Sequence, residues 1–175
     1  LVVTATTSTG VLLPRFGPRW LMSAGMLIAA GGMLLLTQIT ETSSYASHVL
    51  PALLIMGVGI GASMAPAMQG AISGVSPDDA GVASATVNTM QQVGGSVGTA
   101  FLSTIAASSA ATFVSGHASP ATDPAQLAQL AAVHSYTTAF WVAAAVFAVG
   151  GLIAALLVRS GKLPVAPDGT AAMAH

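Results

Sequence analysis

The chain has 175 residues, of which 54% are hydrophobic and only 5% are charged, and its formal net charge is −1. Soluble domains carry about 25% charged residues, so the composition predicts a membrane protein. A near-neutral chain lacks the basic face that nucleic acid binding requires, and the absence of cysteine excludes disulfides and thiolate metal sites.

The first segment, residues 1–13, is apolar but too short to cross a membrane. As a helix it would rise about 20 Å, against a hydrocarbon core of about 30 Å. We interpret it as the end of a truncated transmembrane helix. Since the chain starts with Leu1 and no basic region of a signal peptide follows, we expect a fragment of a longer protein. Residues 14–19, PRFGPR, predict a basic cytoplasmic loop, because two prolines and a glycine prevent the helix from continuing.

Four apolar segments beyond this loop are long enough to cross the membrane, and polar segments separate them. In chain order we place a span at 20–38, an external loop at 39–48, a span at 49–73, a cytoplasmic loop and helix start at 74–85, a span at 86–111, an external loop at 112–135, a span at 136–158 and a disordered cytoplasmic tail at 159–175. The sequence therefore predicts an all-α, polytopic membrane protein with four complete transmembrane helices and a truncated one.

Local signals refine three of these segments. In the second span we expect Gly57 and Gly61 to let another helix approach closely, and Pro66 to kink or locally unwind the helix. Ser76 is a suitable N-cap for the third long helix. In the last external loop, the stretch AQLAQLAAV predicts a short helix that lies on the membrane surface.

The positive charges give the orientation. Cytoplasmic loops are enriched in Lys and Arg, and an even number of spans puts all four such residues of this chain on one side. The four residues are Arg15, Arg19, Arg159 and Lys162. The C-terminus is thus expected in the cytoplasm.

The third span carries an unusual stripe of polar side chains. At about 100° per residue, one narrow face of the helix contains Asn88, Gln92, Gly95, Thr99 and Ser103, with Gln91 beside it. An unpaired amide is costly in lipid, so this face should meet protein or water. Two interpretations stay open: the stripe lines a substrate path or a domain interface, or the amides serve only as hydrogen-bonding glue between helices.

The second span offers a further candidate surface. Met56, Met64 and Met68 are expected on one face, and Gln69 is a polar residue in the same span. Flexible thioethers suit a pocket that accepts varied apolar ligands, and they equally suit a plain hydrophobic core.

Enzyme chemistry finds no support in the sequence. No phosphate-binding glycine loop is present, and the predicted spans contain no carboxylate, histidine or cysteine for intramembrane catalysis. The four histidines are scattered over external loops and the tail. We therefore expect no catalytic residue, no metal site and no cofactor.

Two stretches resemble one transporter family. The run GVLLPRFGPRW resembles the cytoplasmic loop signature of the major facilitator superfamily at Gly10, Leu12, Arg15 and Gly17, while Arg19 lies one or two positions from the pattern and Pro14 replaces its aspartate. The run GVSPDDAGVASATVNTMQQVGGSVGTA is similar to the antepenultimate loop and penultimate helix of the fourteen-span drug:proton antiporters.

The resemblance implies the C-terminal bundle of a major facilitator fold. Its four spans would serve as outer support, cavity lining, domain interface and outer support. The implied function is proton-coupled export of drugs or other lipophilic small molecules from the plasma membrane by alternating access, with the lipid bilayer and the missing N-terminal helices as partners. Since no acid lies in the spans, the coupling residue would lie in those helices. Two alternatives stay open: a self-contained four-span scaffold or assembly protein, and a transporter of a sugar or metabolite.

Overall fold

The computed structural model describes residues 2–7, 12–40, 44–72, 75–76, 78–119 and 123–158. In these ranges the regular elements are helices, with no strand among them. They are α1 (Val2–Thr7), α2 (Leu13–Leu36), a short π-helix (Tyr45–Val49) that leads into α3 (Leu50–Ile72), α4 (Ala80–His117) and α5 (Pro124–Leu157). The four long helices are long and apolar enough to cross a membrane. The predicted all-α membrane fold is confirmed.

The basic loop predicted at 14–19 is reduced to a kink at a single residue. Helical structure begins at Leu13, and Gly17 alone leaves it, with φ 75° and ψ 164°. A side chain at this φ would be strained, whereas glycine adopts it freely. Pro18 then starts the second helical stretch, where the missing backbone N–H costs nothing. The two prolines therefore did not prevent helix formation around the glycine.

The third and fourth long helices also differ from their predicted limits. Helix α4 begins at Ala80 with Asp79 as its N-cap residue, and the hydroxyl of Ser76 instead donates to the Asp79 carboxylate (2.9 Å). The short surface helix predicted within 112–135 is the start of α5, which runs unbroken from Pro124 to Leu157. No glycine or proline interrupts residues 125–149, so nothing ends the helix before the apolar segment.

Glycines set the close contact between α2 and α3. A methyl group on Gly25 would lie 2.7 Å from the carbonyl oxygen of Gly59, and one on Gly32 would lie 2.7 Å from the backbone nitrogen of Met56. Small residues let helix backbones meet directly, which maximises van der Waals contact in a medium that gives no hydrophobic driving force. On the other side of α2, a methyl group on Gly151 of α5 would lie 3.3 Å from the carbonyl oxygen of Ser23 and from the side chains of Met26 and Leu27, so this contact is less tight.

Of the glycine pair predicted in α3, Gly57 meets α1. The carbonyl oxygen of Gly57 accepts a hydrogen bond from Thr4 of α1 (3.5 Å), while Gly61 is buried. The tight crossing with α2 uses Gly59, which lies between the two. Pro66 is fully buried, and α3 continues past it to Ile72.

Helix α4 lies at the side of this block and is attached mainly to α5. The Ser109 and Thr138 hydroxyls are 3.0 Å apart across the two helices, and the Phe113 ring lies 5.0 Å from that of His134. Leu102 packs against a cluster of Met33, Ala143 and Ala144, which belongs to α2 and α5. These contacts all lie in the second half of α4.

Candidate functional site

Helix α4 is the most exposed long element of the described chain. It contains 38 residues, none of them buried, so it rises about 57 Å and exceeds the bilayer core at its ends. The polar stripe and the apolar face opposite it are both uncovered: Met90 is 65% exposed and Val97 is 63% exposed. A helix in this state contacts lipid, water or further protein on most of its surface.

The polar groups of the stripe divide into two kinds. The Thr99 hydroxyl donates to the carbonyl of Gly95 (2.8 Å), so it is satisfied within its own helix and tolerates any surroundings. Asn88 and Gln92 are exposed, and within the described part of the chain no side-chain partner takes up their amides. An amide without a partner costs several kcal/mol in hydrocarbon. The two amides, rather than the hydroxyls, therefore require water or protein at this face.

A groove between α3 and α4 is the candidate site. Its volume is about 360 Å³. The residues that line it are Ala67, Met68, Thr86, Val87, Met90 and Gln91. It is formed where the last turns of α3 meet the first turns of α4, and pockets of roughly 300–1,000 Å³ accommodate small molecules.

One polar contact crosses this groove. Gln91 Nε2 donates to the Met68 sulfur at 3.3 Å. A thioether is a weak acceptor, so the amide has a partner that a better acceptor would readily replace. The lining contains no charged side chain, and its surface is otherwise aliphatic or thioether with one threonine. The site is thus chemically suited to an uncharged, largely apolar ligand.

Sequence reasoning identified two of the groove residues, Met68 and Gln91, and the structure brings them together. The other candidates lie elsewhere. Met64, 44% exposed, and the half-buried Gln69 are on α3 but do not line the groove. Met56, expected on the same face as Met68, packs instead against the cluster of α2 and α5 described above. The three methionines therefore do not line one pocket, since only Met68 contributes to the groove.

Four lining residues were missed by the sequence pattern. They are Ala67, Thr86, Val87 and Met90. Met90 lies on the apolar face of α4 and Gln91 lies beside the polar stripe, so the groove is found between these two faces of the helix. No sequence signal gives the angle at which α3 meets α4.

The basic loop motif does not join this groove. Gly10 and the side chain of Arg15 lie outside the described residues, as do Arg159 and Lys162. Gly17 forms the kink in α2. The Arg19 guanidinium lies 5.6 Å from the centroid of the Trp20 ring, as in a cation–π pair. Gly17 and Arg19 therefore belong to the N-terminal part of α2 and do not line the groove.

Two histidines are closer together than the sequence suggested. The His117 ring stacks on Phe113 with 4.2 Å between centroids, and the His134 ring lies 5.0 Å from the same phenyl ring. They were assigned to one loop without any contact. In the residues that the structure describes, no group of three or more His, Cys, Asp or Glu is placed to hold a metal.

The sequence is similar to a known protein family and to several characterised members of it. The family model described as Major Facilitator Superfamily matches residues 1–172. The puromycin resistance protein pur8 of Streptomyces alboniger is 38% identical over 93% of this chain and 32% of its own length. The cephamycin export protein CmcT of Amycolatopsis lactamdurans is 36% identical over 55% of this chain and 20% of its own length. The lincomycin resistance protein LmrB of Bacillus subtilis is 29% identical over 89% of this chain and 32% of its own length.

The chain thus spans about a third of the length of pur8 and LmrB. No solved structure matches it significantly.

Proposed function

Because the chain belongs to the Major Facilitator Superfamily, a family of membrane transporters rather than of enzymes, we propose that it forms part of an exporter of antibiotics and other lipophilic small molecules. Three relatives support this substrate class, since their names refer to resistance to puromycin or lincomycin, or to cephamycin export. The observation that carries the proposal in this chain is the uncharged groove between α3 and α4.

The position of the groove fits an exporter. By the positive-inside rule, we assign the basic residues near the start of α2 and after α5 to the cytoplasm, in a multi-pass arrangement in the plasma membrane with a cytoplasmic C-terminus. The segment at 74–85 is then cytoplasmic too. Because the groove lies between the end of α3 and the start of α4, it belongs to the inner half of the membrane, where a molecule to be exported first meets the protein.

The amides of Asn88 and Gln92 fit a second part of the proposal. We assign the exposed stripe of α4, together with Thr99, to the interface with further helices, such as those that make up the remaining length of the relatives. Alternating access then moves this bundle against that partner around a site near the bilayer midplane. The export is driven by the proton gradient, and since the four spans carry no acid, the coupling carboxylate belongs to the partner helices.

The test is an accumulation assay in cells that express the full-length protein. We expect these cells to hold less of a lipophilic fluorescent dye than cells with an empty vector, and to grow at higher puromycin concentrations. A protonophore should remove the difference in dye accumulation. Equal accumulation and equal puromycin sensitivity, with the protein verified in the membrane, would refute export. Export that survives the protonophore would refute proton coupling alone.

A further inference from the structure

We propose that the α3–α4 groove is a subsite for an uncharged aromatic molecule that carries a hydrogen-bond acceptor, and that Gln91 exchanges Met68 for this acceptor when the molecule binds. The inference rests on the proposed export function, because it specifies which substrates that function selects. It assigns Gln91 a role in determining substrate specificity. It also gives a reason why two methionines, Met68 and Met90, line the same groove.

The lining of the groove favours an uncharged ligand. Its volume of about 360 Å³ is enough for two or three fused or linked aromatic rings, and the exposed side chains of Thr86, Met90 and Gln91 leave the groove open on one side. A charged ligand would find no ionised side chain in this lining, so no counter-charge would offset the part of its hydration that it loses there. An uncharged molecule loses little on entering and gains the contact area of the apolar lining.

The sulfur atoms favour aromatic rings over aliphatic chains. Met68 of α3 and Met90 of α4 contribute polarizable thioethers to the same groove, and sulfur makes favourable contacts with aromatic rings at about 5 Å. Because both side chains have three rotatable bonds, they adjust to rings of different shape. A single rigid shape is therefore not selected, which fits a transporter for several compounds.

The Gln91 amide adds the polar part of the specificity. In the empty groove its Nε2 donates to the Met68 sulfur at 3.3 Å, which is a weak pairing. A carbonyl oxygen is a stronger acceptor than a thioether sulfur, so the Gln91 amide gains free energy when it exchanges the sulfur for the oxygen. At the same moment the Met68 thioether becomes available to contact the ligand ring. A ligand with a carbonyl thus uses both side chains, whereas a pure hydrocarbon must leave the Gln91–Met68 bond in place or break it without compensation.

Benzophenone is a probe with these properties, since it is uncharged, has two rings and one carbonyl, and on irradiation inserts readily into C–H bonds beside sulfur. Membranes that contain the full-length protein are irradiated over a range of benzophenone concentrations, and adducts are mapped by mass spectrometry. We expect saturable labelling of Met68 and Met90. Diphenylmethane has a methylene in place of the carbonyl, and it should compete about fivefold more weakly than benzophenone itself, the value of one net hydrogen bond.

Two variants isolate the amide. In Gln91→Leu the fivefold preference for the carbonyl compound should disappear, and Gln91→Asn, which keeps the polarity but withdraws the amide by one methylene, should lose it as well. Gln129→Leu is the matched control, because Gln129 is an exposed glutamine of α5 that does not line the groove, and it should retain the preference. Equal competition by the two compounds in the unmodified protein overturns the proposal.

Met64 provides an internal control for partition into lipid. It is 44% exposed on α3 and does not line the groove. If Met64 is labelled as strongly as Met68, and its labelling rises linearly with the benzophenone concentration, the proposal is overturned. The dye assay separates the two hypotheses. Export without saturable labelling refutes the subsite alone, whereas saturable, carbonyl-selective labelling without export refutes the transport function and leaves the subsite in place.

Discussion

Replacing Gly59 by alanine should destabilise the crossing of α2 and α3. The added methyl group would lie 2.5 Å from the carbonyl oxygen of Gly25 and would also overlap the backbone nitrogen of Ala29. Ordinary contact begins near 3.4 Å, so the two helices must separate by at least 0.9 Å. Both obstacles are backbone atoms of a regular helix, which have no rotamer by which to yield.

The magnitude follows from two opposing effects. Overpacking of this kind costs about 1–3 kcal/mol, while alanine in a helix is more favourable than glycine by about 0.5–1 kcal/mol. We therefore expect Gly59→Ala to lower the free energy of unfolding of the full-length protein by up to about 2 kcal/mol. The assay is reversible unfolding in mixed detergent micelles with increasing sodium dodecyl sulfate, followed by circular dichroism.

Gly94→Ala is the matched control. Gly94 lies in α4, and a methyl group there would have no neighbour within 4 Å. This variant retains only the helix-propensity gain, so it should equal or exceed the unmodified protein in stability. If Gly59→Ala proved as stable as Gly94→Ala, the close approach of α2 and α3 could not be what holds this block together.

Three further changes test individual contacts in the same unfolding assay. Ser109→Ala removes the hydroxyl that faces Thr138 at 3.0 Å and should cost about 0.6 kcal/mol, the average for hydrogen bonds between membrane helices. Gly17→Ala places a side chain at φ 75° and should cost about 1–3 kcal/mol. Phe113→Leu removes the ring contacts with His117 and His134 and should cost about 0.5–1.5 kcal/mol beyond the lost area.

Each of these three changes has a control of the same chemistry elsewhere in the chain. Ser96→Ala deletes a hydroxyl that bonds only within α4, to the Gln92 carbonyl. Gly31→Ala adds a methyl group with nothing within 4 Å, and Phe101→Leu changes a ring that is 54% exposed. A control that destabilises the protein as much as its partner variant would show that the contact seen in the structure contributes nothing to stability.

The helices themselves could be predicted from the sequence because membrane helices satisfy a strong local condition. Each needs an unbroken apolar run of about 20 residues, and a run of that kind is visible without knowledge of its neighbours. The residues at which the helices begin and end were less predictable from the sequence. The stretch that begins at Pro124 was separated from α5 on its polarity, but polarity moves a helix out of lipid without ending it, and only glycine, proline or a cap would have done so.

Contacts between helices were predicted less well, since they depend on rotation and crossing angle. The sequence suggested Gly57 and Gly61 for close approach to another helix without naming that helix. In the structure Gly57 meets Thr4 of α1, whereas Gly59 makes the crossing with α2, and the spacing of these alternate glycines does not give the partner of each. For the same reason Met68 and Gln91 were each recognised as candidates, but their contact across 23 positions of sequence was not. The amide stripe of α4 was predictable because it needs only the period of one helix.

Helix α4 is attached unevenly along its length. Its second half is held by the Ser109–Thr138 pair, by Phe113 and by Leu102, whereas its first half meets α3 through the bond from Gln91 to Met68. A helix fixed along one half and joined weakly along the other can tilt at its free end without breaking its stronger contacts. Under the proposed exchange, the contact that breaks is this weak one, and the ligand acceptor compensates for its loss.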